Sequence, residues 1–376
     1  MMSQYYPPKV GGLDNHVYEL SKALVQLKHE VHVVTCSTEW ENSHELVDGV
    51  HIHRLGFRLR IHKLRWWLFI WDCHRYLQRL INEYDIELIH VHGHEFDADR
   101  VRFFKGKIPI IFTNHSSGYL MEYETEEGRK KLKKRLSFFD FIVAPSEELR
   151  QKSEILINPI RTAYIPNGVD TSKFVAPKDK TAIRKVLGLA VEELIFLCPR
   201  RLAPKNGVKY FVESARYLNS DLKLTYVVVG GGFPDERKKL EEIVKGNCSD
   251  DKITFVGTIP NEQMQLYMQA SDVVVLPSLM EATSVAGLEA MSTGLPLIGT
   301  NVGGIPAIIA NGCNGIIVEP KQPKELAEAV IKLATSEALR RKMGEYGRDR
   351  AEKEFDWKII AEKLVNLAYK IALQKQ

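Results

Sequence analysis

Two glutamates eight residues apart stand out as chemistry-bearing groups, in Glu281-Ala-Thr-Ser-Val-Ala-Gly-Leu-Glu289, followed by Ala-Met-Ser-Thr-Gly294-Leu-Pro296. An apolar run of strand length, Asp272-Val-Val-Val-Leu-Pro-Ser278, precedes them, and Leu297-Ile-Gly299 begins another. The layout is strand, loop, short helix, turn, strand, a βαβ unit with Glu281 on the loop and Glu289 on the helix. Eight residues of helix rise about 12 Å. Carboxylates that flank one glycosidic bond stand about 5–5.5 Å apart in a retaining glycosidase and about 6.5–9.5 Å apart in an inverting one. This pair is therefore spaced to hold two ends of an extended ligand, with its phosphates at the helix N-terminus, where free N–H groups and the helix dipole favour anions.

Other residues ask the same question. Gly11-Gly12 stands before a helical pattern, Leu13–Leu27, where a glycine lets backbone approach a ligand and a helix start attracts phosphate. His90, His92 and His94 alternate, so an extended chain puts them on one face, with Glu95, Asp97 and Asp99 following. That grouping reads either as a metal site or as ordinary neighbouring side chains, and no metal is expected. Tyr226-Val-Val-Val-Gly230-Gly-Gly232 begins like a dinucleotide fingerprint, but Asp235 stands where its third glycine belongs, so a dehydrogenase is a remote reading.

The elements that would position these groups alternate along the chain. Strand patterns at His32–Thr35, Val50–Leu55, Leu88–His92, Pro109–Asn114, Phe141–Ala144 and Thr162–Ile165 are separated by helical ones, and the second half repeats the alternation from Ile195–Pro199 onward. This order predicts an α/β protein with parallel sheets covered by helices, and ligands at the carboxyl ends of the strands. At 376 residues the chain exceeds a usual single core. The hydrophobic fraction of 44% and charged fraction of 27% are ordinary for a globular protein, and a net charge of +4 is too mild to imply nucleic acid. Five scattered cysteines without a Cys-x-x-Cys pair predict free thiols in a reducing cytoplasm. The most apolar short run, Trp66–Trp71, is far below the ~20 residues of a membrane span. Residues 57–81 interleave basic and aromatic side chains, which suits either a helix on an anionic membrane surface or a domain helix with its aromatic face in the core.

Taken together, the order of motifs resembles glycosyltransferase family 4, retaining enzymes of the GT-B fold. The signature Glu, seven residues, Glu, Ala-Met-x-x-Gly-x-Pro carries the resemblance, with Ile165-Pro-Asn-Gly-Val-Asp170, an Arg-Leu loop before Lys205 and the Gly11-Gly12 turn. The resemblance implies two Rossmann-like parallel-sheet domains facing across a cleft. They would be an acceptor-binding domain at 1–172 and a nucleotide-sugar domain at 173–355, with a helix at 356–376 crossing back to the first. It implies that Glu281 contacts the donor sugar and Glu289 the ribose hydroxyls. It assigns His115 to the cleft histidine beside the sugar, making Glu281 and His115 the catalytic pair.

Donor binding falls by the same resemblance to Gly12, Arg201, Lys205, Gly230, Thr258, Thr283, Ser284, Val285 and Glu289, and the acceptor side to Gly11 and His92. Lys205 is one residue early, and Asn206 occupies the usual lysine place. A first strand normally precedes Tyr6-Pro-Pro. Here it is absent or cut to a stub, so the expectation is a start further upstream and a sheet short of a central member. The implied function is retaining transfer of a sugar from a nucleotide-diphosphate sugar to a hydroxyl of a glycan, glycolipid or small molecule, without metal or cofactor. The implied setting is cytoplasmic, with peripheral contact at the inner membrane face through residues 57–81. A sugar-nucleotide epimerase of the same fold and a binding-only homologue are the alternatives.

Overall fold

The computed structural model describes residues 1–4, 6–7, 12–37, 42–56, 62–93, 98–157, 161–219, 221–246 and 252–374; for 12–14, 62–70, 98–99 and 117 it describes the backbone alone. The chain forms two compact units, one of Met1–Gly168 with Trp357–Gln376 and one of Val169–Asp356. The sequence reading had drawn these boundaries at 172/173 and 355/356.

The first unit contains β1 (Val31–Cys36), β2 (Ser43–Val47), β3 (Val50–Leu55), β4 (Ile89–Val91), β5 (Ile110–Thr113), β6 (Phe141–Ala144) and β7 (Thr162–Tyr164). They assemble as β1-β3-β2 and β4-β5-β6-β7, parallel throughout except for β2, which runs antiparallel to β3. The place between β1 and β4 is not empty. Met2 bridges Val34 on one side and Val91 on the other, with its N–H donating to the His90 carbonyl at 2.7 Å and its own carbonyl accepting from His92 at 3.0 Å. Residues 1–4 thus serve as a stub of the expected first strand and join the two sheets. The helix Gly12–Gln26 covers one face, and the chain from Trp357 onward packs its Trp357, Ile360, Ala361 and Leu364 into the same core. In helix His62–Glu83, Cys73, Leu77 and Leu80 are buried and Trp71 is exposed, so the part from 71 onward docks an apolar stripe as a domain helix does. Residues 57–61 of the basic-aromatic stretch lie outside the described residues. Among the described residues, no helix is long and apolar enough to cross a membrane.

The second unit contains β8 (Leu194–Pro199), β9 (Leu224–Val229), β10 (Ile253–Gly257), β11 (Val273–Leu276), β12 (Leu297–Thr300) and β13 (Gly315–Val318). Their order is β10-β9-β8-β11-β12-β13, all parallel. Strands such as Leu-Thr-Tyr-Val-Val-Val are buried on both faces, which is why they read as continuous apolar runs. Their side chains divide between two cores, with Phe196, Tyr226, Val273 and Val275 in one and Ile195, Val227, Val274 and Leu276 in the other. The strand order reverses between β8 and β11. That topological switch point leaves a crevice at the strand carboxyl ends, where ligands of such sheets bind.

At the opposite, amino-terminal end of β11, Asp272 holds this unit together. Its carboxylate receives Lys180 Nζ at 2.8 Å, Arg184 Nη2, and the Ile195 N–H at 2.8 Å. Burial alone would raise the Asp272 pKa, but Lys180, the Ile195 N–H and Arg184 outweigh it and hold the carboxyl below its ordinary range. Its stabilisation is therefore present above the unfolded carboxyl pKa and is lost as pH falls through the lower folded value. Asp272→Ala, which strands Arg184, should cost roughly 3–5 kcal/mol in urea unfolding. The cost should shrink at acid pH, and a variant as stable as wild type at neutral pH would refute this account.

Candidate functional site

The crevice between β8 and β11 is built by close backbone approach. Gly230 has φ of +147°, and a Cβ there would stand 2.3 Å from the Arg200 carbonyl oxygen. A Cβ on Gly231 would meet Thr258 Oγ1 at 2.0 Å, so the turns after β8, β9 and β10 converge only because glycine is present. Gly207, with φ of +66°, lets the loop after β8 lie against the Pro277 carbonyl. The Lys205 carbonyl accepts from the N–H groups of Leu279 at 2.8 Å and Met280 at 3.2 Å. The loops after β8 and β11 are thus fastened side by side.

Across that junction Arg200 Nη2 reaches Glu281 Oε2 at 2.8 Å and Ser284 Oγ at 2.8 Å. The Arg200 and Glu281 side chains are only 11% and 16% exposed. The Glu281 carbonyl accepts from the Gly304 N–H at 3.2 Å, and Gly303 passes too near that carbonyl to carry a side chain. Ser284 caps the helix Val285–Ser292, its hydroxyl accepting from the Gly287 N–H. Thr283 and Ser284 therefore sit at a helix start beside a guanidinium, a suitable place for an anion. Glu289, one turn into the helix, is 8% exposed, and burial pushes its carboxyl up to about 7 while Lys173 draws it down.

The expected donor residues are placed unevenly. Glu281, Ser284 and the helix start gather in the crevice. Arg201 is exposed, its carbonyl accepting from the buried Asn206 side chain at 2.8 Å; Lys205 is half-buried, and Thr258 is exposed beside the glycine turn. Arg200 is missed by the sequence, which points to its neighbour Arg201 in this loop. Two adjacent arginines were visible, but only the geometry shows which one meets Glu281.

In the first unit the carboxyl ends of β4 and β5 hold a histidine cluster. His92 Nδ1 and His115 Nε2 are 3.2 Å apart and share a hydrogen bond. The His16 ring lies 4.2 Å from that of His115 and 5.0 Å from that of Trp357. His90 bonds Tyr369 Oη at 2.9 Å and Thr113 Oγ1 at 2.7 Å, so both of its nitrogens are occupied. Burial holds His115 down to about 3, and burial with neighbouring imidazoles holds His16 and His92 well below their ordinary value. These imidazoles are neutral at physiological pH. Among the described residues, His92 Nε2 and Asn114 Nδ2 are buried without a hydrogen-bond partner, as groups awaiting a polar ligand are. The metal reading of His90, His92 and His94 takes a different form here, because His94, Glu95 and Asp97 lie outside the described residues. One ligand atom from each of His16, His92 and His115 lies within 4.8 Å of the others instead. Gly11 also lies outside the described residues, and Gly12 opens its helix.

Comparison with known proteins identifies this architecture. The solved sucrose-phosphate synthase from Thermosynechococcus elongatus matches with a TM-score of 0.80 at 24% identity, covering 98% of this chain and 95% of that one. The Anabaena protein HepE in complex with UDP and glucose matches with a TM-score of 0.81 at 16% identity, covering 98% of each. The fold is thus the two-domain α/β GT-B fold. The family models "Glycosyltransferase Family 4" and "Glycosyl transferases group 1" match residues 10–173 and 179–350. An uncharacterised glycosyltransferase of Methanocaldococcus jannaschii is 27% identical over 100% of this chain and 98% of its own. The chain belongs to the group 1, family 4-like glycosyltransferases.

Glu289 supplies a test of the buried carboxyl. Its folded pKa lies above the unfolded value, so the folded state binds the extra proton and stability falls as pH rises from about 4.5 to about 7. The loss should total roughly 3 kcal/mol at 1.36 kcal/mol per unit. Glu289→Gln should lack this part of the slope when stability is measured against pH. An unchanged wild-type-minus-variant difference across that window would rule out the shift.

Proposed function

We propose that this glycosyltransferase transfers a sugar from a nucleoside diphosphate sugar to an acceptor hydroxyl with retention at the anomeric carbon. The carrying observation is Arg200 bridging Glu281 and Ser284 at the start of a helix, with Glu289 buried one turn further on. The diphosphate takes the helix N-terminus and the cations Arg200, Arg201 and Lys205, while Glu289 accepts from the ribose hydroxyls. Phosphate binding draws Arg200 away from Glu281 and frees that carboxylate for the sugar. The bond from the anomeric carbon to the phosphate oxygen breaks as the acceptor oxygen bonds on the same face, and the acceptor proton passes to the departing phosphate oxygen. Positive charge aimed at the leaving group is the main catalytic contribution, and it takes the place of a metal.

His115 and His92 are assigned to the sugar and acceptor side as neutral hydrogen-bonding groups. Glycans and lipid-linked sugars are the acceptor classes to try, and with a lipid-linked one residues 57–81 would touch the membrane. Among the described residues no disulfide forms, and Cys36, Cys73, Cys198 and Cys313 as thiols suit a cytoplasmic setting. HepE, with its UDP and glucose, makes UDP-glucose the first donor to test.

A thermal-shift panel of UDP, GDP, ADP and their sugars tests the donor site. A ligand at 100 times its Kd stabilises by about 2.7 kcal/mol. No shift with any of them would end the donor reading. Release of nucleoside diphosphate with and without acceptors then separates transfer from epimerisation, which needs no acceptor, and from binding alone. Arg200→Ala should lower turnover about 10²–10³-fold, as loss of one preorganised donor does. Wild-type turnover in that variant would remove Arg200 from the mechanism.

A further inference from the structure

Four histidines share one face of the β1-β3-β2 sheet, remote from the strand carboxyl ends. His51 and His53 are two residues apart on β3, so they point to the same side. Strand register sets His32 of β1 opposite His51 and His44 of β2 opposite His53. The rings form two layers. His32 stacks on His51 at 4.6 Å with planes 8° apart, and His44 on His53 at 4.4 Å with planes 4° apart. Within the layers, His32 Nδ1 bonds His53 Nε2 at 3.0 Å and His44 Nε2 bonds His51 Nδ1 at 3.2 Å. His53 Nδ1 meets Tyr76 Oη at 2.9 Å, and His32 Nε2 meets Glu30 Oε1 at 3.0 Å.

We infer that Glu30, His32 and His51 form a binding site for a divalent transition-metal ion of the zinc class. One ligand atom of each lies within 4.8 Å of the other two. Two imidazoles and a carboxylate suit zinc, cobalt, nickel or copper and not the all-oxygen ions. The surrounding bonds are those a metal-bound histidine needs. Its second nitrogen must be held by a partner that fixes ring and tautomer, and His53 does this for His32 while His44 does it for His51. Glu30 can only accept, so His32 donates from Nε2 and accepts at Nδ1 from His53, whose own Nδ1 accepts from Tyr76. When an ion takes the His32 Nε2 lone pair, the His32 proton moves to Nδ1 and the chain reverses, with His32 Nδ1 donating to His53 Nε2 and His53 Nδ1 donating to Tyr76 Oη. Ligand nitrogens on one tetrahedral ion stand about 3.3 Å apart, so the His32 and His51 rings, 8° from parallel, tilt toward each other to bind, and the 59%-exposed Glu30 side chain closes on the ion. The remaining position opens to water. The ion would tie the residue before β1 to two strands, away from His92 and His115.

The test is zinc titration of the full chain at neutral pH after chelator treatment, read by calorimetry and thermal shift, with cobalt absorption reporting geometry. One equivalent of zinc is expected, with a raised Tm. Glu30→Gln and His51→Ala should each weaken binding at least about tenfold, and His44→Ala by a factor within about 10–100. His92→Ala should leave it unchanged, which separates this site from the His16, His92 and His115 cluster. No uptake at micromolar zinc, or uptake lost in His92→Ala and kept in Glu30→Gln and His51→Ala, would overturn the inference.

Discussion

A guanidinium removed from water must be met by something, and Arg200 is placed where little else is available. The turns around it are glycine turns whose backbones approach closely. Glu281 and Ser284 meet the charge within the protein. Stripping a partner from such a pair costs roughly 3–5 kcal/mol unless another anion replaces it. The ion pair is therefore a latch that only a competing anion opens cheaply. The glycines that crowd Glu281, the fastening of the 205 and 279 loops and the cap at Ser284 all hold that latch at a helix start. On the proposed chemistry, filling the phosphate site and releasing the catalytic carboxylate become one event.

The first unit meets burial by the opposite route. Its strand ends carry imidazoles, which lose their charge where a carboxylate or guanidinium would demand a counterion. His90 is anchored between Tyr369 and Thr113, and His92 and His115 bond each other. Trp357 against His16 and Tyr369 against His90 also explain why the last helix belongs to this unit. It completes the shell around the histidines.

Much of this fold was legible in the sequence because parallel strands buried on both faces leave unbroken apolar runs. Phe141–Ala144 falls where the pattern puts it. Ser43–Val47 did not announce itself, since all five of its residues are exposed and no apolar face alternates. A signal was nonetheless present. Asp48-Gly49 joins it to β3 with φ of 52° and 78°, the mark of a tight hairpin turn. Arg200 was hidden for a different reason: a linear motif shows which types are adjacent, and only the switch point shows which one turns inward. The assignments of Arg201, Lys205 and His115 rest on resemblance.

The histidine face was the least legible feature, because its members come from three strands spread between residues 32 and 53. The hairpin turn sets the register of β2 on β3, and that register alone brings His44 opposite His53. A slip of one residue would send every side chain of β2 to the other face. His51 would lose the partner that orients it, although the β1–β3 pairing would still hold it opposite His32. The strand that sequence patterning overlooked is thus the one on which the proposed metal site depends. An ion bound there would in turn fix the register of a sheet joined to the rest of its unit through the short stub at Met2.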